Sequence, residues 1–228
     1  MHIVWDWNGT LLDDTGACIG ALNEMLARRG LEPISVDFYR KHFAFPVRSF
    51  YESIGVKLEN EDWNRLAREY HDEYHARPAQ LARGTFAALE RVKGMGEGQS
   101  ILSALRQDML ATDSAKFGVA GYMHRIWGSD NLDGGSKLES ARRFFNALVE
   151  DGVVKGDLSD AVMIGDAIHD WEVASALGVK CVLFSGGGHS RERLLPLAPV
   201  ADTPLEAVDL ACAFFAKTTA DLHSGPHF

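Results

Sequence analysis

Three carboxylates in this sequence are spaced to do chemistry together. Asp6 stands in Asp6-Trp7-Asn8-Gly9-Thr10-Leu11, and Asp166 and Asp170 in Gly165-Asp166-Ala167-Ile168-His169-Asp170. The last two are four residues apart, so on a turn leading into a helix both face one point. Adding Asp6 makes a cluster of like charges that repel strongly unless a cation sits among them. Oxygen-only ligation suits magnesium, which keeps several waters and takes few protein carboxylates beside a substrate phosphate. Lys137 follows Gly134-Gly135 at the start of a helical pattern. A helix N-terminus is already positive, so a lysine there gains only where an anion is near.

The bulk composition narrows the partners. The formal charge is −9 and no lysine or arginine cluster stands out. Nucleic acid, which demands a basic footprint, is therefore not expected. A small anion meets an unfavourable long-range field and must be attracted locally, by a bound cation or a few placed positive groups. No apolar run reaches the length of a membrane span, and MHIVWDWNGT lacks the basic start and long apolar stretch of a signal peptide. Cys18, Cys181 and Cys212 are too few and too scattered for a disulfide framework or a zinc site. The expected location is cytoplasmic. A 228-residue chain can bury one substantial core plus a small accessory domain.

Buried parallel strands and helices must position the carboxylates. Short apolar runs at His2 to Trp7, Ser100 to Ser103, Ala161 to Ile164 and Val179 to Phe184 read as strands, each ending at a turn signal or a polar residue. Helical patterns at Thr85 to Val92, Leu138 to Val149 and Glu172 to Leu177 alternate with them. This implies a parallel sheet covered on both faces, with ligands beyond the carboxyl ends of its strands. Asp6, Ser103 and Asp166 are expected at those ends. From about Thr15 to Leu81 the rhythm breaks into helical patterns (Cys18 to Arg28, Val36 to His42, Glu61 to His75) with no convincing strand. The polar end of the chain, from about Thr218, is expected to fray.

In this order the four segments resemble the haloacid-dehalogenase-like hydrolases with a helical cap inserted after the first motif, of the phosphoglycolate-phosphatase type. The likeness covers nearly the whole chain. It implies an α/β, Rossmann-like parallel-sheet core (residues 1–14 and 82–228) and an α-helical cap domain (residues 15–81). It implies a magnesium-dependent phosphatase acting on a small phosphorylated metabolite, with Asp6 as nucleophile forming an aspartyl-phosphate. Asn8, Gly9, Ser103 and Lys137 would bind the phosphoryl group. Asp6, the main-chain carbonyl of Asn8 and Asp166 would hold the metal, with Asp170 behind them through water or by holding Lys137. A monomer or homodimer is expected.

Asn8 departs from the pattern, which usually has an Asp there to protonate the leaving oxygen and later activate water. A carboxamide cannot titrate, and positioned acid–base groups contribute roughly 10²–10⁴ in rate. Three outcomes stay open: a phosphatase in which another group or solvent moves the proton (His169 and His189 by residue type), a slow or inactive phosphometabolite-binding protein, or an Asn8 introduced in place of the usual Asp. Tyr39, Lys41, His42, Arg48, Tyr70, His71 and His75 are the cap residues that could reach a substrate. Phe38, Phe50 and Trp63 are expected in the cap's own core.

Overall fold

The computed structural model describes residues 1–129 and 137–221; Gly134 and Gly135 lie outside them. Strand β1 (His2–Trp5) is buried along its length. A turn leads to the two-residue strand β2 (Leu12–Asp13). Four helices follow: α1 (Thr15–Ala27), α2 (Val36–His42), α3 (Val47–Ser53) and α4 (Trp63–His75). The chain returns through β3 (Gln80–Leu81), antiparallel to β2, with Leu12 opposite Leu81. The helical stretch thus ends in a short strand that periodicity cannot detect, because two residues show no alternation.

Beyond it come α5 (Thr85–Gly94), β4 (Gly98–Arg106), α6 (Gln107–Lys116), β5 (Ile126–Ser129) and α7 (Lys137–Glu150). The remaining elements are β6 (Ala161–Gly165), α8 (Ile168–Leu177), β7 (Lys180–Phe184), α9 (Arg191–Leu194), β8 (Val200–Ala201) and α10 (Pro204–Asp221). Helix α10 carries the backbone through Thr218, where fraying was expected. Its sequence from Pro204 is apolar enough to pack along α5 and β7.

Six strands form one sheet in the order β5-β4-β1-β6-β7-β8, every pair parallel. Alternate residues point to opposite faces. Ile3, Trp5, Ile101, Val162 and Val182 join Leu89 in one apolar layer, while Val4, Leu102, Met163 and Leu183 join Phe144 and Phe145 in the other. Burial on both faces is why these strands read as continuous apolar runs.

Helices α1 to α4 keep a separate core of Leu22, Met25, Leu26, Phe50, Tyr51, Val56 and Leu66. Phe50 belongs to it, Trp63 packs at its edge, and Phe38 does not, being exposed on α2. Phe38 instead stacks on His42 one turn later. Arg29 fastens this unit through ion pairs to Glu61 and Glu69.

Candidate active site

β1 stops at Trp5, but the Asp6 amide still donates to Ile164 O at 2.8 Å, so Asp6 is carried one step past the strand in register with β6. The chain then turns on Gly9, whose φ of +71° is the left-handed region that costs a glycine nothing. A Cβ on Gly9 would run into the Asp166 carboxylate, and one on Gly187 would run into both that carboxylate and the Gly9 carbonyl. Glycine at these two positions lets the turn after β1 and the loop after β7 close on Asp166. The Asp166 carboxylate accepts from Thr10 Oγ1 at 3.2 Å and from the Gly188 amide at 2.6 Å.

Asp6, Asp166 and Asp170 each place an oxygen within 4.8 Å of the others. Lys137, the first residue of α7, donates to Asp6 Oδ1 at 3.1 Å and to Asp170 Oδ1. The second Asp170 oxygen accepts from the Ala167 amide at 3.0 Å, so Asp170 is committed to holding Lys137 and its own turn. Burial pushes Asp6 up to about 7, with Lys137 pulling it down and Asp170 pushing it further up. Burial, and then the charges of Asp170 and Asp6, push Asp166 well above the usual carboxylate range. Burial alone would lower Lys137; the Asp170 and Asp6 carboxylates outweigh it and hold the ammonium charged. Among the described residues, three carboxyl groups face one lysine in a buried place, so they can all stay ionised only if a further cation joins them, and all the donors are hard oxygens. That set fits a divalent cation such as magnesium.

Ser103 does not end its strand, as its sequence suggested. β4 runs on to Arg106, which pairs with Ser129 after a register shift beyond Leu102. The irregularity nonetheless leaves Ser103 on the cavity wall, its hydroxyl accepting from the Leu105 amide at 3.1 Å.

Asn8 meets a residue the sequence did not single out. Its side-chain nitrogen donates to Asp14 Oδ2 at 2.7 Å and to the Tyr74 hydroxyl at 3.1 Å. Tyr74 itself donates to Asp14 Oδ2 at 2.7 Å, and the Gly9 amide to Asp14 Oδ1 at 2.8 Å. The Gly9 N–H is therefore engaged by a carboxylate on its own loop. The Asp13-Asp14 doublet directly before α1 was the available signal; Tyr74, sixty residues on, left none.

A cavity of about 320 Å³ holds Asp6, Asn8, Gly9, Ser103, Lys137 and Asp166 together on its wall. From the helical unit it receives Tyr39, Tyr70, His71 and Tyr74, whereas Lys41, His42 and His75 are exposed elsewhere. His169 lines it beside Phe45, with ring centroids 5.1 Å apart. His189 is not a free proton shuttle. Its Nδ1 accepts from the Ile168 amide at 2.8 Å and its Nε2 donates to Phe43 O at 2.9 Å. Arg40 and Arg193 add side-chain bonds between the same two regions, Arg40 to Gly186 O and Gly187 O, and Arg193 to Phe43 O.

Residues 3–184 match the family model described as haloacid dehalogenase-like hydrolase. The chain belongs to the haloacid dehalogenase-like hydrolases. Among curated proteins, this hydrolase is similar to a phosphoglycolate phosphatase of Caulobacter vibrioides, 29% identical over 192 residues that cover 81% of this chain and 79% of that one. Among solved structures, its fold matches a haloacid dehalogenase-like family hydrolase from Streptococcus pneumoniae (TM-score 0.75, 20% identity, 94% of this chain and 97% of that chain). It also matches a haloacid dehalogenase-like protein from Agrobacterium tumefaciens (TM-score 0.74, 20% identity, 95% and 98%). No described helix of this hydrolase is long and apolar enough to cross a membrane.

Proposed function

We propose that this chain is a magnesium-dependent phosphatase that hydrolyses a phosphomonoester through an aspartyl-phosphate on Asp6. The observation that carries the reading is the convergence of Asp6, Lys137 and Asp166 on one cavity wall, with Asp170 bracing the lysine from behind. The name of the Caulobacter relative, a phosphatase, points the same way. In this reading residues 15–81 are the cap over a core of residues 1–14 and 82–228.

Asp6, Asp166 and the Asn8 carbonyl would hold the metal, whose chemistry is to neutralise the nucleophile and the phosphoryl oxygens together. An Asp6 oxygen attacks phosphorus, the bond from phosphorus to the alcohol oxygen breaks, and the aspartyl-phosphate forms. Lys137, fixed between Asp6 and Asp170, offers positive charge where the phosphoryl oxygens gain negative charge. Ser103 and the backbone around Gly9 line the phosphoryl position. Water then attacks phosphorus, the bond to Asp6 breaks, and phosphate leaves.

Asn8 has no proton to give the departing alkoxide and cannot take one from the attacking water. The first step should therefore depend steeply on the acidity of the alcohol, and the aspartyl-phosphate should accumulate. A second reading rests on this residue: a phosphometabolite-binding protein that turns over slowly or not at all. Phosphate release from a panel of phosphomonoesters, with and without magnesium, separates them. The phosphatase reading expects metal-dependent release that Asp6→Asn removes; release undiminished in that variant would overturn it. The binding reading expects calorimetric affinity without release even from an activated aryl phosphate.

A further inference from the structure

The reaction cavity does not end above the carboxylates. A second chamber, of about 660 Å³, lies inside the helical unit and shares Cys18, Tyr39, Phe43, Phe45, Tyr70 and His71 with it. Its remaining wall is mostly apolar or aromatic, including Leu22, Val47, Phe50, Tyr51, Trp63 and Ala67. The two spaces meet on residues of the helical unit, whereas Asp6, Lys137 and Asp166 line only the first.

The shared wall carries little charge. Burial, and then the Asp14 charge, pushes the Cys18 thiol up, so it stays protonated. Burial also raises the Tyr39 and Tyr70 hydroxyls and lowers His71, helped there by His75 and Arg106, so these groups stay neutral too. Among the described residues lining either space, the full cations are Lys137, engaged by Asp6 and Asp170, and Arg48. The Arg48 guanidinium stands 4.2 Å from the Trp63 ring centroid, on an exposed residue. A carboxylate on the shared wall would lose water with no cation beside it among the described residues, which is costly; the one cation of the second chamber, Arg48, lies at its exposed side over Trp63. An apolar group would gain from leaving water, and aromatic rings would meet aromatic rings.

We propose that the second chamber is the subsite for the alcohol part of the substrate, and that it takes an uncharged, predominantly apolar group carrying an aromatic ring. A carboxylate of glycolate size is the wrong ligand, both in charge and in leaving most of the chamber unfilled. The proposal rests on the phosphatase reading and narrows its substrate class.

Calorimetry with non-hydrolysable phosphonates, magnesium present, tests the chamber without requiring turnover. 4-Phenylbutylphosphonate is expected to bind on the order of 100-fold tighter than ethylphosphonate, the gain from burying one aromatic ring and its linker. 2-Carboxyethylphosphonate should bind no tighter than ethylphosphonate. Ala67→Trp, which fills the chamber, should bring the phenylbutyl-to-ethyl ratio close to one, and the smaller Ala67→Leu should lower it part of the way. Equal affinities in the unaltered protein, a preference for the carboxylate, or a ratio that survives both variants overturns the proposal while leaving the phosphatase reading intact. Absence of binding by all three phosphonates overturns both.

Discussion

At the scale of residues, Asn8 is held in one orientation by simple hydrogen-bond logic. The Asp14 carboxylate only accepts, so the Asn8 amide nitrogen faces it and the amide oxygen turns the other way. Asn8→Asp alone would press a second carboxylate against Asp14 Oδ2, where two like charges share a site poorly. That variant is expected to lose about 1–3 kcal/mol in urea denaturation at neutral pH, by losing a bond to a charged group and gaining a repulsion. Adding Asp14→Asn should recover most of the loss by reversing the polarity of the pair. The double variant should also release phosphate faster by roughly 10²–10⁴, the worth of a positioned acid–base group. No acceleration would mean that another group already moves the proton. Asp6, Lys137 and Asp166 were legible in the sequence because each follows a strand or opens a helix in a fixed order. Asp14 and Tyr74 were not, because their meeting depends on how α4 folds back over the turn after β1.

At the scale of elements, the loop after β7 is as much part of the site as the strands. Gly186 to Gly188 read in the sequence as a strand ending; their closeness to Asp166 follows from β7 lying next to β6. Gly187→Ala should displace the Asp166 carboxylate, costing about 1–3 kcal/mol of stability as an overpacked site and, on the proposed phosphatase function, weakening the hold on magnesium. A titration of metal-dependent activity against magnesium, beside a thermal melt, reads both effects. Unchanged magnesium dependence would show that the contact relaxes harmlessly. The central strands β1, β4, β6 and β7 announced themselves as apolar runs, since both faces are buried. β5 is a half-buried edge strand and β8 has two residues, so neither carries a pattern to detect. β4 outran the stretch read from the sequence because it pairs with β5 again at Arg106, after a register shift beyond Leu102, so the polar Ser103 interrupts the apolar run without ending the strand.

At the scale of the whole molecule, His189 joins the helical unit to the sheet. The Ile168 N–H can only donate, so Nδ1 must be unprotonated and Nε2 must carry the hydrogen given to Phe43 O. Burial, and then the Arg193 charge, lowers this imidazole from 6.5 to about 4. Between those values the unfolded chain binds the extra proton and the folded chain does not, so stability falls as pH drops from 6.5 to 4. The loss from this ring is about 3 kcal/mol, at 1.36 kcal/mol per pKa unit. Urea denaturation at pH 7 and pH 4.5 should show it as a difference: His189→Gln removes this share of the acid sensitivity, though not that of His2, which burial also lowers to about 4. Equal acid sensitivity in the variant would mean the ring is hydrated. The helical stretch leaves and rejoins the rest of the chain at the β2–β3 ribbon, where Leu12 pairs with Leu81. To the sheet, everything between them is an excursion that departs and returns at one doorway. Closing such an excursion costs free energy only as the logarithm of its length. Length added within the insert, away from Arg40, Phe43 and Tyr74, should therefore cost the sheet little, whereas a change at those three contacts reaches the site itself.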